Sequence, residues 1–523
     1  MTEPAPTLSS AGAPRPVLSM RGITKRFGGL TANADVDLDI APGEIVALLG
    51  ENGAGKTTLM NILFGHYVAD EGEVWVASGD GPLALLTPGS AEAALRAGIG
   101  MVHQHFTLAE NLTGFENIVL GTQSLFRLGI GGLAARRKLD VLARESGLGV
   151  DLNVPVSRLS VGEKQRVEIL KALYRDVKVL ILDEPTAVLT PAEAEGLAET
   201  VRTLAARGLA VVFISHKLAE VLALCQRIVV LRSGRKVADR PAAGADRSTL
   251  ADLMVGRTIE VRRPEPREPG AAVMVLDRVS VGQARGRDVL DEASLVLQSG
   301  EIVGIAGVSG NGQGALAALV AGLAAPRQGL FRVLSDQPHA ADPAGMVARG
   351  VGRIPEDRHH EGSIGGMTIA ENLILENPRH PAVQRFGFLR AGAIRERAAK
   401  SIAAFDVRCP GPDASIRLLS GGNMQKVILA RVLERSPRII LAHQPTRGLD
   451  VAATADVHRR LIEARDRGAG VLLISEDLDE LFALADRIAA IHRGRLTAAL
   501  PADQLDVRTV GLMMAGHEAE AAA

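Results

Sequence analysis

Long apolar runs are missing from this chain, although hydrophobic residues make up 47% of it. No uncharged apolar stretch reaches the ~18 residues a membrane-crossing helix needs, and the N-terminus has no signal-peptide pattern. The expectation is a soluble or membrane-peripheral protein. Cysteine is scarce: Cys225 and Cys409 stand far apart, form no ligand-spaced cluster and suit a reducing compartment. An excess of charge is missing too. The 59 Lys+Arg against 60 Asp+Glu leave a net charge of −1, which argues against a globally basic nucleic-acid binder. Sustained heptads are absent, so no long coiled coil is expected. Aromatic residues are only 3% of the chain, which makes any aromatic in a polar turn notable.

What is present is one set of short motifs, occurring twice in the same order. The first copy runs Gly50-Glu51-Asn52-Gly53-Ala54-Gly55-Lys56-Thr57, then Gln104, Leu159-Ser160-Val161-Gly162-Glu163, Asp183-Glu184 and His216. The second copy repeats three of these positions 260 residues later and the glycine loop 257 residues later. Its reactive groups are exchanged: Gln313 for the lysine, Gly314 for the threonine, Glu356 for the glutamine, His443-Gln444 for Asp-Glu, and Glu476 for the histidine. The segment Leu419-Ser420-Gly421-Gly422-Asn423 is nevertheless intact. A shared offset of this kind marks a tandem duplication, with two domains of roughly 240 residues.

Residues 1–16, rich in Ala, Pro and Ser, read as a disordered lead, and residues 516–523 as a frayed tail. Between them the reading places a first domain at 17–257, a proline-charged linker at 258–272 and a second domain at 273–515. Continuous apolar runs of strand length at Val46–Leu49, Val179–Leu182 and Leu209–Ile214 indicate an α/β fold, with a parallel sheet covered on both faces. Matching runs lie at Ile302–Ala306, Ile439–Ala442 and Val471–Ile474. A helix is expected over Thr57–Phe64 and another over Lys164–Tyr174.

The chemistry follows from residue types in these contexts. A glycine loop between an apolar strand and a helix lets backbone N–H groups close around phosphate oxygens at a helix N-terminus. Lys56 is placed to reach the β- and γ-phosphates, and the Thr57 hydroxyl, with Thr58 beside it, begins the helix as an Mg²⁺ ligand. Asp183 and Glu184 end a buried strand, the edge where ligands bind in such sheets. Asp183 would hold Mg²⁺ through water, and Glu184 would polarise the attacking water. His216 ends another buried strand, as a γ-phosphate contact. Gln104 is expected to sense metal and γ-phosphate, whereas its neighbours His103 and His105 are expected to be solvated. Phe27 lies 23 residues before the loop, in a polar turn, where it would stack on an adenine ring. No aromatic occurs between Ala272 and Gly300 in the second copy, although Gly307, Gly310, Gly312 and Gly314 leave it a weak phosphate cradle.

The glycine loops and the paired turns at Leu159–Glu163 and Leu419–Gln425 resemble those of the ATP-binding-cassette ATPases, with coverage from about Val17 to Gly516. The resemblance implies two nucleotide-binding domains. Each would have a RecA-like parallel-sheet core, an antiparallel β subdomain and a helical subdomain. It also implies head-to-tail pairing within the chain, so that ATP at the first glycine loop would meet Ser420, Gly421 and Gly422. The second site, lacking lysine, metal hydroxyl, carboxylates and histidine, would be structural or regulatory. Pro355-Glu356-Asp357-Arg358 and Gln444-Pro445-Thr446-Arg447-Gly448-Leu449-Asp450 resemble the ATPases of bacterial importers for simple sugars and nucleosides. Gln165–Leu173 followed by Leu189-Thr190-Pro191 is more similar to the nucleoside group. That family acts at the cytoplasmic face of the membrane, with two integral-membrane permease subunits and an extracytoplasmic solute-binding protein, and uses ATP and Mg²⁺. A monosaccharide importer and a soluble tandem-cassette translation factor are the alternatives. The short linker and single complete site weigh against the second of these.

Overall fold

The computed structural model describes residues 15–77, 81–103, 106–122, 132–186, 189, 191–215, 217–256, 264–282, 289–308 and 310–516. The chain divides into two compact units, Met1–Ile259 and Glu260–Ala523.

The strands of the first unit are β1 (Leu18–Phe27), β2 (Leu30–Ile40), β3 (Ile45–Leu49), β4 (Glu71–Ala77), β5 (Leu83–Leu85), β6 (Ile99–Val102), β7 (Val179–Asp183), β8 (Ala210–Ile214), β9 (Arg227–Arg232) and β10 (Arg235–Pro241). Two sheets result. The antiparallel sheet has the order β2-β1-β4-β5, and the larger one β10-β9-β3-β8-β7-β6. In the larger sheet β3 lies centrally and parallel to both neighbours, with Val46 opposite Val212 on one side and Arg227 on the other. All five β3 residues are buried, because both faces of a parallel sheet are covered. On one face Val46, Leu48, Ile181 and Val212 pack with Leu59, Met60 and Leu63 of the helix Lys56–Leu63 and with Leu18, Met20 and Leu38 of the antiparallel sheet. The helix that follows β3 is thereby wedged between the two sheets, which fixes where its N-terminus points.

The second unit repeats the plan with β11 (Ala272–Val281), β12 (Leu290–Gln298), β13 (Ile302–Ala306), β14 (Gln328–Val333), β15 (Val351–Ile354), β16 (Gln384–Arg385), β17 (Phe388–Leu389), β18 (Ile439–His443), β19 (Gly470–Ser475), β20 (Arg487–His492), β21 (Arg495–Leu496) and β22 (Leu500–Pro501). Its sheets run β12-β11-β14 and β15-β18-β19-β13-β20-β21, with β22 paired to β20 and β16-β17 a separate hairpin. The expected apolar runs are therefore strands in both copies, and the fold is mixed α/β with parallel sheets.

Both expected site helices begin earlier than their patterns suggest. The first spans Lys56–Leu63, because Gly55 already serves as its N-cap. The second spans Val161–Leu173 rather than opening at Lys164. Ser160 and Glu163 cap it reciprocally: the Ser160 N–H donates to Glu163 Oε2 at 2.8 Å, and the Glu163 N–H donates to Ser160 Oγ at 3.3 Å.

One buried charge organises the second unit. Arg465 is 1% exposed, donates to Asp486 at 2.6 Å and to the Glu265 carbonyl at 2.9 Å, while Asp486 also accepts from the Ile302 N–H at the start of β13. Removing Arg465 leaves the Asp486 carboxylate, 25% exposed, without its arginine partner. Arg465→Ala should therefore destabilise the second unit by about 3 kcal/mol, read as a lower urea unfolding midpoint. A shift below about 1 kcal/mol would show that the pair is not fully desolvated.

Candidate active site

At the end of β3 the backbone turns through Gly50, with φ +150°, and reaches the helix N-cap at Gly55, with φ +102°. A Cβ on Gly50 would run into the Leu231 carbonyl, and one on Gly55 into the Ala32 carbonyl. Only glycine fits at either point. Asn33, fully buried, donates from Nδ2 to the Gly55 carbonyl at 3.2 Å and so ties β2 to the loop. Sequence reasoning missed this residue, since a single Asn inside a strand carries no pattern. Lys56 Nζ donates to the Gly50 carbonyl at 2.7 Å and to the Glu51 carbonyl at 3.0 Å, which folds the cation over its own loop. The helix that starts at Lys56 has no acidic residue in its first turn, so its N-terminal field favours an anion. Asn52, Gly53 and Thr57 on the loop's outer side are exposed, Ala54 is buried, and Thr58 is half-buried.

Asp183 and Glu184 lie at the C-terminal end of β7, and burial raises the Asp183 carboxyl to about 6. The neighbouring Glu184 charge contributes to that rise, and Lys56 opposes it. Lysine and carboxylates therefore share one field. Glu184 adopts the left-handed region with φ +48°, its N–H donating to the Ile214 carbonyl at 2.9 Å. A non-glycine residue held there costs about 1–3 kcal/mol. The hard oxygen donors Asp183 and Thr57 suit Mg²⁺, and the mutual repulsion of Asp183 and Glu184 is what a divalent cation would relieve. Gln104 and His216 lie outside the described residues. Their flanks are fixed: Ser215 and Thr186 both donate to Glu220, and Thr107 donates through N–H and hydroxyl to the buried Glu168 of the Val161–Leu173 helix. His103, expected to be solvated, is half-buried and stacks on His66 with ring centroids 6.1 Å apart. Burial and the neighbouring His66 lower its pKa. Among the described residues no group of three or more His, Cys, Asp or Glu is placed to hold a metal ion.

Phe27 is 45% exposed at the tip of the β1–β2 hairpin and meets Tyr67 edge to face at 5.6 Å. Two residues earlier, Lys25 pairs with Asn33, the residue that holds Gly55, so the aromatic pair lies beside the loop. Tyr67 was not legible, because it follows the loop helix in an unpatterned turn.

In the second unit the corresponding groups satisfy one another. Gln313 is 5% exposed and donates to the Val308 carbonyl at 2.7 Å, while its own carbonyl accepts the Asn311 N–H at 3.1 Å. The lysine's replacement thus occupies the interior of the loop expected to cradle phosphate weakly. Glu356 pairs with Arg447 and lies 3.6 Å from His443, so an internal ion cluster stands where the first unit has two carboxylates. Gln444 keeps the left-handed backbone of Glu184, with φ +49°.

The two serine-glycine turns differ in the opposite sense. Ser160 is engaged by the Glu163 carboxylate, and Gly162 lies directly against Glu193. Ser420, which caps the helix Gly421–Leu433, bears no side-chain cap bond to that helix. Its hydroxyl instead accepts from the neutral Asn423 amide at 3.0 Å. Gly421 faces the Arg358 guanidinium, whose Nη1 is buried without a hydrogen-bond partner. A cation set at a helix N-terminus is electrostatically unfavourable until an anion arrives. The first unit's turn thus lies against the carboxylates of Glu163 and Glu193, and the second's against the Arg358 guanidinium.

The Asp183 carboxyl titrates higher folded than unfolded, so the folded state loses stability as pH rises from about 4 to about 6. Below that window the carboxyl is protonated in both states and the penalty vanishes. Asp183→Asn should therefore stabilise the nucleotide-free chain by on the order of 2 kcal/mol near pH 8 and leave it unchanged near pH 4. Thermal unfolding at the two pH values measures this.

The ABC transporter family model matches residues 34–187 and 290–447. The chain is 41% identical to the nucleoside import ATP-binding protein NupA of Lactococcus lactis subsp. cremoris, covering 96% of this chain and 98% of that one. It is 40% identical to the guanosine import ATP-binding protein NupO of Bacillus subtilis, covering 96% and 97%. It is also 40% identical to the ribose import ATP-binding protein RbsA 1 of Burkholderia thailandensis, covering 94% and 96%. Among solved structures, the archaeal ribosome recycling factor aABCE1 in complex with the stalk protein aP1 aligns with a TM-score of 0.62 at 20% identity, over 92% of this chain and 90% of that one. That last likeness is one of fold alone. With two matched segments that each carry a glycine loop and a serine-glycine turn, and relatives alike over nearly their whole length, the chain belongs to the ABC transporter family.

Proposed function

We propose that this chain is the ATP-hydrolysing subunit of an importer, with nucleosides as the transported class. It would work at the cytoplasmic face of the membrane with two integral-membrane permease subunits and an extracytoplasmic solute-binding protein. The names of the nucleoside and guanosine import relatives support that class, as does the Gln165–Leu173 stretch. A monosaccharide is the second reading, since ribose and glucose import relatives are similar to the chain at 40% and 41% identity.

One observation carries the mechanism: the two asymmetries are complementary. The first unit has the working glycine loop, and the second has the serine-glycine turn that favours an anion. On this proposal the units would pair head to tail, and one competent site would take Lys56, Thr57, Asp183 and Glu184 from the first unit and Ser420, Gly421 and Gly422 from the second. The opposite pairing would set a loop filled by Gln313 against a turn lined by Glu163 and Glu193, and we assign it no turnover.

In the competent site the incoming phosphates replace the loop carbonyls as partners of Lys56, while Phe27 and Tyr67 receive the adenine ring. Glu184 accepts a proton from the attacking water as its oxygen bonds to the γ-phosphorus. The bond from that phosphorus to the β–γ bridging oxygen breaks, and ADP leaves with the electron pair. His216 and Gln104 contact the γ-phosphate. Bound Mg²⁺, held by Thr57 and through water by Asp183, would neutralise charge on the phosphates.

Lys56→Ala and Glu184→Gln should each lower ATP hydrolysis by about 10²–10⁴-fold, Glu184→Gln with nucleotide binding retained. Gln444→Ala should leave the rate nearly unchanged, and Ser420→Arg should cost far more than Ser160→Arg. Steady-state hydrolysis by the assembly with its permeases measures all five variants. Undiminished activity in Lys56→Ala, or equal loss from both serine variants, would refute the assignment. Thermal stabilisation of the partner binding protein by nucleosides but not by monosaccharides would support the substrate class.

A further inference from the structure

The hairpin β16–β17 of the second unit carries an exposed cluster that the nucleotide chemistry does not use. Its turn is Phe386-Gly387, with φ +51° and +83°, the backbone of a two-residue turn in which Asn-Gly is the favoured pair. Phenylalanine at a left-handed position is a costly choice. The ring gains no packing in return: Phe386 is 85% exposed and Phe388 79%, with Leu389 at 57% beside them. In a chain with 11 Phe, one Trp and two Tyr, two rings are spent on one tip.

The tip is held out from a fixed base. Val383 is buried with Ile374, Ile394 and Ala398, and the Arg390 N–H donates to the Val383 carbonyl at 2.8 Å. Arg379, Arg385 and Arg390 are exposed around the tip and form no ion pair among the described residues. The Arg385 guanidinium lies 5.2 Å from the Phe386 ring, and Arg385 pairs across the hairpin with Phe388. The neighbouring carboxylates are engaged elsewhere, Glu376 with Arg431 and Arg435, Asp413 with Arg395, Glu396 with Lys400 and Glu434 with Arg397. Rigidly presented rings flanked by unpaired guanidinium groups match the interface of an anionic bilayer. Aromatic rings are favoured there at the headgroup level, and each basic residue is drawn to lipid phosphate.

We propose that this hairpin is a membrane-surface anchor, laying Phe386 and Phe388 into the headgroup region of an anionic bilayer with Arg379, Arg385 and Arg390 against lipid phosphates. The inference stands on the hairpin alone and is independent of the transported solute.

The test is sedimentation of the purified full chain with vesicles of phosphatidylcholine, alone or mixed with phosphatidylglycerol. The native chain should bind the mixed vesicles at least about tenfold more tightly, in a salt-sensitive manner. Phe386→Asn/Phe388→Thr should lower that binding about tenfold. The unfolding midpoint should stay level or rise, because Asn suits the turn, and lipid-free ATP hydrolysis should be unchanged. Arg385→Gln/Arg390→Gln should remove most of the salt sensitivity. Equal binding of the native chain to both vesicles, or undiminished binding by the Phe386→Asn/Phe388→Thr chain, overturns the proposal. So does a defect of that variant seen only on neutral vesicles carrying the permease subunits, which would assign the tip to a protein groove.

Discussion

Everything at the first site depends on how tightly the backbone after β3 is held between two neighbouring carbonyls. The strand is hydrogen-bonded on both sides and buried on both faces, so its exit point cannot move. The loop then passes so close to the carbonyls of Leu231 and Ala32 that side chains are excluded at Gly50 and Gly55, and Asn33 secures the second contact. A loop fixed this way directs its amides and the N-terminus of the following helix toward one point in space. Lys56 folds back onto carbonyls of the same loop. Under the proposed function, phosphate recognition would exchange these partners with little reorganisation of backbone.

The same scaffold persists in the second unit while its chemistry is withdrawn. Gly312 occupies the left-handed N-cap position as Gly55 does, and Gln444 retains the backbone strain of Glu184. Strain kept at a position with no carboxylate shows that the bend after the strand belongs to the fold. What changes is which groups satisfy the polar atoms. Gln313 fills its own loop, Glu356 pairs with Arg447, and His443 lies 3.6 Å from Glu356. The first unit, by contrast, gathers Lys56, Asp183 and Glu184 in a single electrostatic field that a nucleotide with its metal would complete.

Much of this was legible in the residues. The buried strands announced themselves as continuous apolar runs, since a parallel sheet covered on both faces admits little else. The glycine loops and serine-glycine turns stood out because each needs particular residue types at fixed spacing. Other features had no such signature. Asn33 and Tyr67 act through neighbours distant in sequence, and His103 is half-buried and stacked with His66. The helix at Val161 starts three residues before its apolar pattern does, because a reciprocal cap sets its first turn. The contrast between Glu193 against Gly162 and Arg358 against Gly421 joins segments far apart in the chain, so neither contact can be read along it.

The linear order of residues by itself determined that the chain is a duplication, that each copy is α/β, and that only the first copy carries a lysine, a hydroxyl and two carboxylates in nucleotide-binding order. Covalent spacing suffices for these, because loop, strand and helix are local. Only the tertiary structure decided which polar groups find partners: that Gln313 closes its loop, that Glu163 and Glu193 lie against the first serine-glycine turn while the Arg358 guanidinium attends the second, and that two rings are left at the tip of β16–β17. Partnering and burial depend on what packing brings together across the fold, and the order of residues along the chain does not specify that.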